Sequence, residues 1–377
     1  MILIAGVLVL HTATGYVLDF AGWYYDDEVQ ASGMVSKVLT GPALLGGLFW
    51  LGPFFVLAGW FSARSLAGRG PGGFARARLV RLGVPLLVFV LLLNPLTDYL
   101  GNVFDERGSF AFYLRQTEVG ALWFVAALLV FSLGYAALRR WHGPADASGR
   151  LPDGAAHPWL RLVLAAMVAI AVTSWLVWLR WPLTEEAVLN LKFSEWPQGA
   201  VLFALGVHAA ETGWVDRPPS LHQVRALGWT ALAGAIGFVA LVAVGVSSDS
   251  QDDLGPATDW PVISAAVLDG IVAVSFTVWF LVWFRTRAMA RARAGDRARA
   301  GAGSADPRWQ ALIARAGRAS YATYVVHPLV ITLIMLALSS VPLGPWIKVV
   351  IVSLLAVPAC FAAGDALTRA PGLSRIL

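Results

Sequence analysis

Apolar runs of about 20 residues recur along the whole 377-residue chain, the length a helix needs to cross the hydrocarbon core of a bilayer. Within lipid each backbone N–H and C=O has to be satisfied inside the spanning segment, and an unbroken apolar run achieves that only as a helix. The composition agrees: 58% of residues are hydrophobic and 14% are charged, against about 25% charged in soluble domains. The sequence therefore predicts an all-α integral membrane protein. A single cysteine, Cys360, excludes an internal disulfide framework. Residues 1–20 have neither a basic leader nor a small-residue cleavage site, so they read as a retained first helix rather than a signal peptide.

Charge clusters and Pro/Gly-rich stretches divide the chain into about ten transmembrane helices, near 1–20, 41–63, 82–99, 120–138, 160–179, 197–211, 226–246, 261–284, 318–338 and 346–366. The segments between them then alternate sides. One set, 64–81, 139–159, 212–225, 285–317 and 367–377 with flanking helix-end residues, holds 22 Lys+Arg and seven acids, net +15. The other holds six Lys+Arg and 15 acids, net −9, and Asp269 inside the eighth span completes the formal +5. Lys/Arg excess marks the cytoplasmic side, so both termini are expected in the cytoplasm. No segment on the acidic side exceeds about 25 residues, and no extracytoplasmic domain is expected. The chain reads as a single membrane-embedded domain over 1–377, with its chemistry inside the bundle or at its mouths.

Ionisable residues at bilayer depth are expensive and mark functional sites by default. Four stand out: His11, His208, Asp269 and His327. At 1.5 Å rise per residue His11 lies roughly 15 Å from the cytoplasmic end of the first span, and His327 roughly 14 Å from that of the ninth. Two imidazoles at one depth can share a cavity; each could instead hydrogen-bond a neighbouring helix. In "SYATYVVHPLVI" Tyr321, Tyr324 and His327 recur every three residues, along one side of a helix. Pro328 cannot donate to the Tyr324 carbonyl, so a kink and a freed acceptor are expected there, lining a wet cavity. Asp269 reads either as a substrate or proton site or as a buried acceptor for Ser or Tyr hydroxyls. His208 falls in the cytoplasmic half of its helix, where snorkelling or a local hydrogen bond accounts for it.

Arginines also gather on the basic face. Arg64, Arg69, Arg76, Arg78 and Arg81 fall within 18 residues; they either bind a polyanion through bidentate phosphate contacts or serve only topology. The richest basic stretch, "RTRAMARARAGDRARAGAG" from Arg285, reads as a positive-inside loop touching anionic lipid rather than a nucleic-acid patch. No metal-ligand spacing and no Ser-His-Asp arrangement is visible.

Taken in order, these features resemble acyltransferase family 3, bacterial integral-membrane enzymes that O-acylate extracytoplasmic glycans and some secondary metabolites. The resemblance covers nearly the full length. "ILIAGVLVLH" ends in the first-helix histidine, His11; "FFVLAGWFSARSL" resembles the end of the second helix; "RLVR", Arg78 to Arg81, matches an Arg-x-x-Arg motif ahead of "LGVPLL". "LWF" at Leu122–Phe124, "WPQGAVLFALGVHAAETGW", "SYATYVVHPLVI" and the tail "RAPGLSRIL" follow, the last similar to the branch that includes the periplasmic glucan succinyltransferase. Two positions depart from the pattern. The arginine partnering the first-helix histidine would fall one position before Met1, which leads to the expectation of a coding start further upstream. Ala121 stands where related members often carry histidine before "LWF".

The resemblance implies acyl-CoA, as acetyl-CoA or succinyl-CoA, as cytoplasmic donor, and a carbohydrate or glycosylated metabolite as extracytoplasmic acceptor. The setting would be the bacterial cytoplasmic (inner) membrane, a source that 25 Arg against three Lys and abundant Ala and Gly also suggest. Catalysis would rest on His11 as general base, since imidazole titrates near working pH, with His327 positioning the acceptor or stabilising the oxyanion. Covalent acyl-His transfer stays open. Arg78, Arg81 and Arg76 would hold the CoA phosphates; Tyr321, Tyr324, Trp123 and Asp269 would line the substrate cavity. A transporter or flippase for a lipid-linked or glycan substrate is the rival reading, opposed by the lack of an internal repeat. An inactive scaffold is a third.

Overall fold

The computed structural model describes residues 1–17, 23–25, 46, 49–103, 109–143, 159–182, 188–214, 219–247, 258–300, 307–373 and 376, with backbone only at 17, 188, 243–247, 291–300 and 307–310. Among the described residues every regular element is helical. The helices are α1 (Ile2–Val17), α2 (Gly52–Arg78), α3 (Val84–Val88), α4 (Asn94–Gly101), α5 (Phe110–Tyr113), α6 (Trp123–His142), α7 (Trp159–Trp178), α8 (Trp196–Thr212), α9 (Leu221–Ser247), α10 (Trp260–Ala300), α11 (Pro307–Ala337) and α12 (Pro345–Arg369). Seven helical stretches among the described residues are long and apolar enough to cross a membrane, and α1 is a shorter apolar helix. Helix occupies each of the ten expected spans in whole or in part; residues 41–45, 47 and 48 of the second lie outside the described residues.

Several expected boundaries shift because helix continues through them. From Gly52 to Gly101 the chain is one run of helical turns, bent once where Gly70 takes φ 70° and ψ 166° ahead of Pro71. Only glycine reaches that conformation without cost, and the proline needs no N–H at the first turn of the helix it opens. Two π-turns follow, Leu79–Gly83 and Phe89–Leu93, where Val84 N–H bonds Leu79 O and Asn94 N–H bonds Phe89 O. Each sits just ahead of a proline, Pro85 or Pro95, whose missing N–H and bulky ring widen the preceding turn. The basic stretch from Arg285, expected as a loop, is instead the end of α10, which runs unbroken to Ala300. Its alternating Ala and Arg are strong helix formers, and arginine at the membrane surface needs no loop to reach water.

Packing follows helix pairs: α11 with α12, α2 with α8, α9 with α10, and α7 with α10. Close approach depends on residues without a side chain. A Cβ at Gly59 of α2 would stand 2.0 Å from Phe203 O of α8, and one at Gly206 of α8 would stand 2.0 Å from Val56 O of α2. Gly270 plays the same part against Met167 O, and Gly364 against the backbone of Ala319 and Thr323. In lipid, backbone contact of this kind replaces the hydrophobic drive that pairs helices in water. Leu8, Phe55, Leu122, Ile170, Leu202 and Met335 fill the shared interior. Outward stand Leu87, Val168, Ile236 and Leu354, the last 71% exposed, an apolar exterior that only lipid satisfies.

Gly59→Val or Gly206→Val is therefore expected to separate α2 from α8 and cost at least the ~1–3 kcal/mol of overpacking. The thermal midpoint in detergent should fall accordingly. Gly68→Ala, where nothing lies within 4 Å, should leave it unchanged or slightly raised.

Candidate active site

His11 and His327 meet. Their ring centroids are 5.1 Å apart with planes 28° from parallel, across the contact between α1 and α11. His327 is fully buried. Pro328 follows it and offers no N–H to the carbonyl of Tyr324, four residues back. His327 Nδ1 lies 2.5 Å from that carbonyl oxygen. A carbonyl only accepts, so Nδ1 carries the proton and Nε2 holds a lone pair. Nε2 is buried and has no hydrogen-bond partner among the described residues. The proline, inside a helix that continues past it, has thus set the tautomer of the imidazole beside it.

A short non-helical segment, Trp23–Tyr25, bends over this pair. The Trp23 ring stacks on His11 at 4.5 Å and lies 6.1 Å from His327. Tyr24 meets Trp23 edge-on at 5.0 Å, and its hydroxyl donates to Asn94 Oδ1 at 2.6 Å. The same hydroxyl accepts the Ala121 N–H at 3.3 Å, while Tyr324 donates to the Ala121 carbonyl at 2.7 Å. Asn94 Nδ2 in turn donates to Asp98 Oδ2 at 3.0 Å. Hydrogen bonds thus run from Tyr24 through Asn94 to Asp98, and the backbone of Ala121 holds the hydroxyls of both Tyr24 and Tyr324. Burial, with the Asp98 and Glu118 carboxylates nearby, pushes the Tyr24 phenol above its usual range, so it stays a neutral donor.

Two glycines make room for the segment. Gly120 has φ 47°, and a Cβ there would stand 2.4 Å from the Tyr24 hydroxyl and 2.5 Å from Asn94 Oδ1. A Cβ at Gly101 would stand 1.8 Å from the Tyr24 carbonyl oxygen. Backbone without side chains is what lets α4, the turn before α6 and the 23–25 segment converge on one hydroxyl.

The other expected site residues fall in different places. Tyr324 is in the cluster, and its ring lies 5.1 Å from that of His327. Tyr321 is on the same helix with its hydroxyl buried and without a partner among the described residues. Trp123 begins α6 and meets Phe124 edge-on; it is Phe124, at 5.9 Å, that reaches Tyr324. Asp269 lies apart, buried between α7 and α10, where Ser174 Oγ donates to its Oδ2 at 2.9 Å. Its other oxygen, Oδ1, is buried and has no partner among the described residues. His208 is exposed on α8.

On the basic face, Arg78 Nη2 donates to Ser62 Oγ at 3.0 Å and its guanidinium lies 5.1 Å from the Phe74 ring centre. Arg81 and Arg69 are near enough for their charges to act on it. Arg76 and Arg81 are exposed.

Reading the sequence missed Trp23, Tyr24 and Asn94. Asn94 had a signal, a carboxamide in the apolar run "LLLNPL", which a survey restricted to ionisable residues passes over. Trp23 and Tyr24 carry no periodicity, and nothing local ties them to residues 70 and 97 positions away.

Gly120→Ala is expected to lower the thermal midpoint in detergent by the equivalent of at least ~1–2 kcal/mol, the cost of a left-handed alanine, with the Tyr24 clash added. Gly134→Ala, in open space on α6, should be neutral in the same measurement.

The family model described as an acyltransferase domain, that of acyltransferase family 3, matches residues 1–365. Comparison with curated proteins and with solved structures gave no match. The match spans nearly all of a chain whose apolar helices suit a bilayer, and the chain belongs to acyltransferase family 3 as a multi-pass membrane acyltransferase.

Proposed function

We propose that this acyltransferase moves an acyl group, acetyl or succinyl, from cytoplasmic acyl-CoA to a hydroxyl of an extracytoplasmic glycan or glycosylated metabolite. It would do so across the bacterial cytoplasmic membrane, with ten crossings and both termini inside. The observation that carries the reading is the stacked pair His11 and His327, the latter with a fixed tautomer and an uncommitted Nε2.

A hydroxyl attacks a thioester only as its proton leaves, and a neutral imidazole lone pair is suited to take it. Two rings 5.1 Å apart cannot both hold a positive charge at low cost, so one charges while the other stays neutral. His11 is only partly buried and stacked on Trp23; it is the base. His327, protonated on Nδ1, can accept at Nε2 but cannot donate there while neutral. Its part is to receive and orient the acceptor hydroxyl, and the oxyanion role does not suit that tautomer. The fixed tautomer also favours a second reading, in which Nε2 of His327 is itself the base.

The CoA phosphates would meet Arg76 and Arg81, which are exposed, and Arg78, held between Ser62 and Phe74 with its fork partly committed. The family match supports the acyltransferase reading over the transporter one.

His11→Ala and His327→Ala should each reduce acyl transfer by ~10² or more while the protein still inserts. Glutamine separates the roles, because a carboxamide orients a hydroxyl but takes no proton. His327→Gln should retain more transfer than His327→Ala, and His11→Gln no more than His11→Ala; the reverse result makes His327 the base. Near-normal transfer by both alanine variants would remove the pair from the reaction.

Arg78→Lys or Arg81→Lys should keep the orientation and raise KM for acyl-CoA alone, with the donor KM also climbing with salt. Arg287, which lies over Trp283 at 4.4 Å, and Arg285 serve as controls. Equal donor effects from both arginine sets would mean that CoA feels only the general basic face.

A further inference from the structure

The hydrogen bonds that start at the Tyr24 hydroxyl lead through Asn94 to Asp98, which also faces open space. Asp98 lines a cavity of about 430 Å³ together with Asn102, Phe112, Tyr113, Gln116 and Glu118. The cavity belongs to the end of the helical run remote from the arginines. Twenty residues separate Arg78 from Asp98, roughly 30 Å of helix, which is the thickness of a bilayer core. On the proposed topology it opens on the extracytoplasmic side.

Its lining is a particular mixture. Two carboxylates and two carboxamides converge on one space, and two aromatic rings stand beside them, Tyr113 buried and Phe112 46% exposed. Carboxylates and carboxamides accept the paired donors of vicinal hydroxyls, while an aromatic face covers the C–H face of a sugar ring. An apolar molecule would leave the polar groups unpaired, at a cost. Phe112 meets the Tyr113 ring edge-on at 5.3 Å and keeps much of its surface exposed at the polar mouth. The volume suits a ligand of one or two sugar rings.

Position adds to composition. Asp98 Oδ2 accepts from Asn94, Asn94 Oδ1 accepts from Tyr24, and the Tyr24–Trp23 edge contact carries the connection to the stacked histidines. A sugar bound against Asp98 would lie at the outer end of that chain, with the histidines at its inner end.

We infer that this cavity is where the acceptor docks, and that the acceptor it recognises is a carbohydrate held by its hydroxyls against Asp98, Glu118, Asn102 and Gln116 and stacked on Phe112. The inference rests on the O-acyltransferase reading above and assigns the acceptor half of that site.

The test uses the full chain in nanodiscs with labelled acetyl-CoA or succinyl-CoA and a panel of acceptors: methyl hexosides, glucosamine, and glucan, mannan and galactan trisaccharides. Release of CoA to water reads the donor and the histidines without an acceptor; label on the sugar reads the cavity. Glu118→Gln, Gln116→Ala and Phe112→Ala should each raise KM for the stimulating sugar at least tenfold and leave KM for acyl-CoA as it is. Phe112 and Gln116 are exposed, so their loss should not disturb folding, and those two variants decide the matter if Glu118→Gln expresses poorly. An unchanged sugar KM in all three, or an equal rise in both KM values, overturns the cavity as acceptor site. Turnover of acyl-CoA that no sugar in the panel stimulates overturns carbohydrate as the ligand. No turnover of acyl-CoA at all overturns instead the reading on which the inference rests.

Discussion

Pro328 has no N–H, and the arrangement of the buried histidine begins there. The Tyr324 carbonyl that a helical N–H would have filled is left to His327 Nδ1, 2.5 Å away. In a membrane interior an unfilled carbonyl is costly, so the imidazole is held as firmly by the helix's need as by its own. One bond fixes ring orientation, tautomer and the location of the free lone pair together. The Tyr324 hydroxyl, on the same turn, reaches across to the Ala121 carbonyl and ties α11 to the turn before α6.

Around that point the fold is organised by what can come close rather than by what is greasy. Every span is apolar, so apolarity cannot choose partners in lipid. Glycine can: Gly59 with Gly206, Gly270 with Met167, and Gly364 with Thr323 let backbones touch. The same device serves the site, where Gly101 and Gly120 admit the Trp23–Tyr25 segment that stacks on His11. Ala121 shows how a side chain can be dispensable while its backbone is not. Its N–H and C=O each hold one tyrosine hydroxyl, so this junction asks nothing of the side chain at that position.

The two ends of the molecule differ in chemistry. Arginine crowds one, where Arg139 pairs with Glu211 and Arg315 with Asp365 at 2.8 Å. Carboxylates and carboxamides line a cavity at the other. Imidazoles sit between. In the proposed reaction an anionic donor and a polyhydroxyl acceptor would each find their complement on opposite faces.

Sequence alone determined the helical class, because apolar runs of spanning length admit one structure in lipid, and the charge asymmetry of the connecting segments, because it is a matter of counting. It also determined that His11 and His327 lie at one depth, since rise per residue is fixed, and that Pro328 frees the Tyr324 carbonyl. Only the tertiary structure decided that the two rings face each other, because depth says nothing about rotation around a helix axis. It decided that Asp269 answers Ser174 on another helix pair, since spans of equal hydropathy give no sign of which are neighbours. It alone brought in Trp23, stacked on His11, and Tyr24, whose bonds to Asn94 and Ala121 reach across 70 residues and more. Contacts at that separation depend on which backbones can approach, and periodicity carries no record of it.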